Sequence, residues 1–496
     1  MGGAAQHAKV VIVGGGFSGL AMAIRLKERG IDDFVVLERA DEVGGTWQAN
    51  TYPGCMCDVP SHLYSLSFAP NPGWSHTYSP QPEIRDYLRR TADRFGIRRH
   101  LRTGIAVTAA TWLAGDGRWE IDTSDGPMTA TILVSAMGPL TEPLVPDLPG
   151  LERFEGKTMH SARWDHDYDL TGKRVASIGT GASAIQYVPA IRPDVEQLYV
   201  FQRTPPWVMP HSDRPITDVE RVLYRRVPLA QRAVRGAVYA GRELLVLGFA
   251  KQPRLMKLLE RLARSHMQKQ VPDPSLLEKV TPDYALGCKR MVPSNRWYPA
   301  LGQPNVELVT AGIREIRERS IVDADGVERE IDAIILGTGF HVTDTPYAQQ
   351  LRGRDGRLMS DIWQGSPRAY LGTSVPGFPN HFLLLGPNTG LGHSSMPYMI
   401  ESQVEHVLRA LQAMDARGAA TIEVRAEATA AFNAKVDEKM RGTVWDTGGC
   451  TSFYLDATGR NATLWPDWTW RFRRLAADFD ESAYALETRE LTPVAA

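Results

Sequence analysis

Two glycine-rich turns hold the residues of this sequence best suited to chemistry, and each is followed at the same distance by a charged side chain of opposite sign. The first is Gly14-x-Gly16-x-x-Gly19, with Glu38 nineteen residues beyond its last glycine. The second is Gly179-x-Gly181-x-x-Ala184, with Arg203 nineteen residues beyond Ala184. Glycines at these positions let the backbone turn sharply against a pyrophosphate, whose charge then rests on the unpaired N–H groups and positive dipole end of the following helix. A carboxylate at the end of the next strand accepts from both hydroxyls of a ribose. An arginine there clamps a 2′-phosphate through two parallel charge-assisted hydrogen bonds, where a carboxylate would repel it. Two dinucleotide sites are therefore expected, the second for NADPH rather than NADH.

Each turn needs a strand before it and a helix after it. Val10–Val13 is an apolar β run, and Leu20, Ala23 and Ile24 follow at the spacing of a core-facing helix. Asp33–Leu37 reads as the strand that carries Glu38. Arg174–Ile178, a helical pattern through Ile185 and Val188, and the strand Leu198–Gln202 repeat the arrangement. Between the two, the turn formers of Gly44-Gly45-Thr46-Trp47, Tyr52-Pro53-Gly54 and Cys57-Asp58 mark a loop close to the first cofactor. A helix is expected over 82–95, and short strands near Ile105–Trp112, Trp119–Thr123 and Thr131–Ala136. Pro139, Pro143, Pro146 and Pro149 then stiffen a connection between domains.

Residues 1 to 8 read as a loose tail. Val219 to Lys269 is helical and strongly basic, with Leu244, Leu245 and Leu247 interleaved. A solvated helical face is the simplest account; steering of an anionic cofactor and weak contact with a membrane surface are the alternatives. Ala333–Leu336 running into Gly337-Thr-Gly339 reads as the chain's return to the first domain. Phe382–Leu385 leads into Gly386-Pro-Asn388-Thr-Gly390-Leu-Gly392-His393, a further strand and glycine-rich turn before a helix, and Trp445 to Trp470 reads as an aromatic cover. The expected fold class is α/β, with two Rossmann-like dinucleotide-binding domains and the second inserted into the first. Residues 1–144 and 331–496 would form the first, and 145–330 the second, carrying a helical insertion at about 215–285.

With 496 residues, 43% hydrophobic, and a net charge of -1, the chain can bury a large core and offers no global attraction for nucleic acid. Cys55, Cys57, Cys288 and Cys450 read as reduced thiols in a cytoplasmic setting, with no disulfide framework. Without a Cys-x-x-Cys pair a disulfide reductase is disfavoured, and Cys55-Met-Cys57 is too short for a zinc pair, so no metal is expected. No run of 18 uncharged apolar residues marks a membrane span. Neither GxxxxGK[ST] nor GxSxG is present, which counts against phosphotransfer and serine hydrolysis.

Phe154-x-Gly156-x-x-x-His160-x-x-x-Trp164-Asp165 lies just ahead of the second turn. Flanked by the two dinucleotide motifs, it resembles the signature of type I Baeyer–Villiger monooxygenases, class B flavoproteins related to flavin-containing monooxygenases. The resemblance implies FAD at the first turn, on Gly14, Gly16, Gly19 and Glu38, with Trp47 and Asp58 near the isoalloxazine ring. It implies NADP(H) at the second, on Gly179, Gly181, Arg203, Thr204 and Lys289, where Lys289 joins Arg203 on the 2′-phosphate. Phe17, Ser18, Arg39, Gly45, Thr46, Tyr64, Val107, Met137, Ser183, Asn388 and Met396 complete the implied cofactor-binding set. Arg290 matches the family's active-site arginine, Asp58 would hold its fork, and His160 would belong to the connection between domains.

The implied reaction takes a small ketone and O2 to an ester or lactone through an Arg290-stabilised C4a-peroxyflavin, in a chain expected to act as a monomer. Oxygenation of nitrogen or sulfur by a hydroperoxyflavin is the alternative within related enzymes. Two departures stand out from the family pattern. Ser452-Phe453-Tyr454 replaces a Ser-Trp-Tyr run and so lacks an indole N–H donor, and Leu336-Gly337-Thr338-Gly339 replaces Ala-Thr-Gly.

Overall fold

The computed structural model describes residues 6–488. Strand β1 (Gln6–Val13) enters the first glycine turn, α1 (Phe17–Glu28) leaves it, and β2 (Phe34–Leu37) runs parallel to β1 with Val10 opposite Phe34. Gln6, His7 and Ala8 thus belong to a strand rather than to a loose tail, because they pair with Met128, Thr129 and Ala130. The earlier residues of the expected tail lie outside the described residues. A short α2 (Thr46–Ala49) and α3 (Gln81–Arg94) follow, then β3 (Leu101–Arg102), β4 (Val107–Leu113), β5 (Arg118–Thr123) and β6 (Gly126–Ser135). The first sheet runs Leu351–Arg352, β4, β5, β6, β1, β2, β3, with His381–Leu383 also parallel to β6. The apolar side of α1, including Leu20, Ala23 and Ile24, is buried in the main core under this sheet, as its spacing predicts.

Beyond the proline-rich connection come β7 (Lys157–His160), β8 (Arg174–Ile178), α4 (Ala182–Ile191) and β9 (Gln197–Phe201). The second sheet is wholly parallel in the order Val306–Val309, β9, β8, Ala333–Leu336, β7. This corrects one expectation: Ala333–Leu336 sits between β8 and β7 in the second sheet and does not return the chain to the first. A four-residue strand buried on both faces suits the interior of any parallel sheet, so its composition does not say which one it joins. The return comes after Gly339, where the outgoing and incoming connections run side by side. Leu144 N–H donates to the Gly339 carbonyl at 2.9 Å, and His341 N–H to the Glu142 carbonyl at 3.0 Å.

The basic stretch folds into α5 (Asp218–Arg226), α6 (Pro228–Glu243) and α7 (Met256–Gln270). Thr217 and Glu220 close a capping box at the start of α5. Among the described residues no helix is long and apolar enough to cross a membrane.

Candidate active site

The first turn is built so that backbone, not side chain, faces whatever binds there. Gly14 has φ +110°, and a Cβ at that position would stand 2.7 Å from the Ala136 carbonyl oxygen. One on Gly19 would collide with the Gly14 carbonyl. Gly16 caps α1 without any side-chain hydrogen bond, and the first turn of the helix carries no acid, so its N–H groups are open to an anion. Glu38 is buried at the base of this turn. It accepts from Gly15 N–H at 2.6 Å and Ala40 N–H at 2.9 Å, leaving lone pairs on both oxygens for ribose hydroxyls. These features fit a bound dinucleotide.

Several of the other residues expected around the first nucleotide lie beside this turn. Phe17 and Ser18 are buried in α1, and Gly45 packs against Gly16. Thr46 and Trp47 lie in α2, where Trp47 Nε1 donates to the Tyr64 hydroxyl at 3.1 Å and the Phe17 ring meets Tyr64 edge-on at 5.2 Å. Arg39 pairs with Glu142, Val107 opens β4, and Met137 and Met396 line one cleft with Gly138 and Gly390.

The second turn repeats the first. Gly179 has φ +104°, and a Cβ there would stand 2.5 Å from the Gly337 carbonyl oxygen. A Cβ on Gly181, the uncapped start of α4, would meet nothing within 4 Å, so the space beside it is open to a ligand. Ser183 lies in the first turn of α4, and Thr180 Oγ1 donates to the Thr204 carbonyl at 3.2 Å. Arg203 is exposed at the end of β9, and Lys289 Nζ stands 5.0 Å from the centre of the Tyr284 ring. Burial and then the charge of Arg203 push the Lys289 ammonium below its ordinary value, although Asp283 opposes them. Two cations held this close are suited to a shared phosphate.

Arg290 and Asp58 meet fork to fork. Arg290 Nε donates to Asp58 Oδ2 at 2.7 Å and Nη2 to Oδ1 at 2.6 Å, while Nη1 reaches the Leu391 carbonyl at 3.2 Å. Burial alone would raise the Asp58 pKa, but the charge and hydrogen bonds of Arg290 outweigh it and hold the carboxyl below its usual range. Burial would likewise lower Arg290, and the Asp58 carboxylate raises it instead. The guanidinium is therefore a fixed charge. Tyr454, beside it, is pushed up to about 12 by burial against the pull of that charge. Phe453, where the family pattern has an indole, is half exposed and packs on Tyr454 with ring centres 4.5 Å apart.

Three features here had no signal in the sequence. Arg242 Nη2 donates to the Asp58 main-chain carbonyl at 3.3 Å. Glu243, buried at the end of α6, accepts from Thr469 N–H at 3.0 Å and Thr469 Oγ1 at 2.7 Å, and pairs with His393 Nε2 at 3.2 Å. Cys288 and Cys450 form a disulfide, correcting the expectation of four reduced thiols; only Cys55 and Cys57 are free among the described residues. The two sulfurs are 162 residues apart and meet only because the late loop folds back on the segment carrying Lys289 and Arg290.

The family profile of pyridine nucleotide-disulphide oxidoreductases matches residues 11–220. A Baeyer–Villiger monooxygenase of Streptomyces coelicolor is 52% identical over 480 residues, 97% of this chain and 92% of the relative. One of Pseudomonas aeruginosa is 50% identical over 99% of this chain and 93% of its own. The structure of an oxidized steroid monooxygenase bound to NADP superposes with a TM-score of 0.85 at 32% identity, covering 98% of this chain and all of that one. The chain belongs to the Baeyer–Villiger monooxygenases. Like its family it is an FAD-containing, NADPH-dependent flavin monooxygenase.

In this Baeyer–Villiger monooxygenase the signature histidine is buried. His160 ends β7 and its Nδ1 accepts from Ala162 N–H at 3.1 Å; burial lowers its pKa to about 4, so the ring is neutral. Asn388 turns inward. Its Nδ2 donates to the carbonyls of Asn461 at 2.8 Å and Leu464 at 3.0 Å, and its Oδ1 accepts from Arg460 at 2.8 Å, so this side chain anchors the late segment.

Proposed function

We propose that the enzyme inserts one oxygen atom beside the carbonyl of a ketone to give an ester or lactone. The overall balance is ketone, O2, NADPH and a proton giving ester, water and NADP+. The observation that carries this reading is the two-point lock of Arg290 on Asp58, which fixes a permanent cation beside the Leu391 carbonyl and Tyr454. Bound FAD supplies what no side chain does, taking a hydride from NADPH and activating dioxygen. The chain's own residues bind, orient and charge the site. Gly14, Gly16, Gly19 and Glu38 hold FAD, with Phe17, Ser18, Gly45, Thr46, Trp47 and Tyr64 around it. Gly179, Gly181, Ser183 and Thr204 receive NADPH, and Arg203 and Lys289 clamp its 2′-phosphate. The first sheet thus serves FAD and the second NADPH, with the second unit extending past Ala333–Leu336.

Arg290 stabilises the negative charge that develops on the ketone oxygen when oxygen bonds to the carbonyl carbon. Asp58 fixes the guanidinium's orientation and keeps it from turning toward solvent. The reading needs residues from one chain only, which suits a monomer. Arg290→Ala is expected to bind FAD and NADPH normally and to lose ester formation by about 10²–10³-fold. Paired assays with a ketone and a sulfide separate this reaction from sulfur oxygenation. Unchanged ester formation in Arg290→Ala would remove the arginine from the mechanism, and sulfoxide without ester would replace the reaction.

A further inference from the structure

Helix α7 presents two kinds of side chain to solvent in two adjacent rows. At about 100° per residue, Met256, Ala263 and Met267 fall on one side and are buried. Opposite them, Leu258 and Leu262 continue a row begun by Leu255 in the turn before the helix. Their exposures are 54% for Leu255, 70% for Leu258 and 49% for Leu262. Arg254, Lys257 and Arg261 make a second row beside the leucines, displaced by one residue and exposed along its length. The only acid of the helix, Glu260, lies off this face and is held by Arg264 at 2.9 Å. Arg254, Lys257 and Arg261 make no ion pair among the described residues.

We infer that this face of α7 docks the enzyme on a membrane surface rich in anionic lipid. Leucines in a row on a folded surface gain by leaving water, and cations beside them gain from negative headgroups at the same depth, the division of labour of an interfacial amphipathic helix. The charge pattern decides among occupants. A second copy joined through the same face would set Arg254, Lys257 and Arg261 against their own counterparts, and like charges oppose that contact. A nucleic acid would satisfy the cations but leave three leucines facing phosphates. An anionic lipid surface accepts both rows at once. The face also lies on the helical insertion rather than on either glycine turn, so docking leaves both dinucleotide turns free.

The test is sedimentation of the FAD-loaded full chain with phosphatidylglycerol-containing vesicles and with pure phosphatidylcholine vesicles, at low and high salt. The parent is expected to sediment with the anionic vesicles at low salt, to stay in solution with the neutral ones, and to be released as salt screens the cations. Arg254→Gln, Lys257→Gln and Arg261→Gln together should weaken partitioning by on the order of 100-fold. Leu258→Ser with Leu262→Ser should weaken it as well, and retention of bound flavin shows that both variants are folded. Equal partitioning onto neutral and anionic vesicles would overturn the proposal, as would no partitioning at low salt or variants that bind like the parent. A parent that is dimeric in sedimentation velocity and made monomeric by the leucine substitutions would also overturn it, in favour of a second copy.

Discussion

Lys289 feels two influences of the same sign. Burial and the neighbouring Arg203 both disfavour its proton, so the folded enzyme releases it at a lower pH than the unfolded chain does. The folded state then holds fewer protons than the unfolded state between the depressed value and the ordinary lysine pKa near 10.4, and stability rises with pH across that window. Affinity for NADPH should run the other way, because the 2′-phosphate needs the ammonium. The Michaelis constant for NADPH is expected to climb through an alkaline transition below pH ~10, and Lys289→Arg should flatten it, since arginine stays charged. Arg203→Ala and Lys289→Ala should each raise this constant about tenfold or more, the worth of a charge-assisted hydrogen bond, while the constant for NADH moves little. Equal effects on the two nucleotides would contradict the 2′-phosphate assignment. Asp58 offers the contrasting case. With its carboxyl held below the usual range, its pairing with Arg290 is complete at neutral pH and is lost only as pH falls through that depressed value.

At the scale of elements, Glu243 ties three pieces of chain together: the end of α6, the turn that contains His393, and the start of the helix Thr469–Ala477. The same turn supplies the Leu391 carbonyl that receives Arg290. Glu243→Ala would leave the buried Thr469 N–H and His393 without their acceptor, at a cost of about 1–3 kcal/mol per unsatisfied group. A lowered thermal midpoint together with slower ester formation is the expected result, and Glu243→Gln, which keeps one acceptor oxygen, should recover part of both. Loss of stability with an unchanged rate would separate Glu243 from the placement of Arg290.

The elements also explain what the sequence disclosed. The positions of Glu38 and Arg203 just past β2 and β9 were legible because each lies a fixed offset from its own glycine turn, and a strand, turn and helix of fixed length carry that offset. Asp58 and Arg290 are 232 residues apart, and only the family resemblance paired them. Ala333–Leu336 was recognised as a strand but assigned to the wrong sheet, because burial on both faces records the depth of a strand and not its neighbours. Glu243 with His393, and Cys288 with Cys450, are pairings over 150 and 162 residues; no local pattern of hydrophobicity or turn residues encodes them.

Across the whole molecule, the disulfide closes a loop over residues 288–450 that contains the last two strands of the second sheet and the return to the first. In the chain-entropy picture such a link stabilises mainly by restricting the unfolded chain, by ~2–4 kcal/mol. Cys450→Ser is expected to melt earlier than the parent under oxidising conditions and at the same temperature in reductant. The fold itself should persist, since Phe249 and Trp445 stack at 5.4 Å and are buried in the same cluster as Cys288. A parent whose melting ignores reductant would show that the bond adds nothing to stability.

The paired crossing between the sheets has a mechanical meaning. One strand of chain would let the two units swivel freely, but here two run abreast and are laced by Leu144 to Gly339 and His341 to Glu142. Such a ribbon bends easily out of its plane and resists torsion. A swing of the two units on this ribbon would carry Lys289 and Arg203 toward or away from the first glycine turn, and the bond between Cys288 and Cys450 would limit its reach.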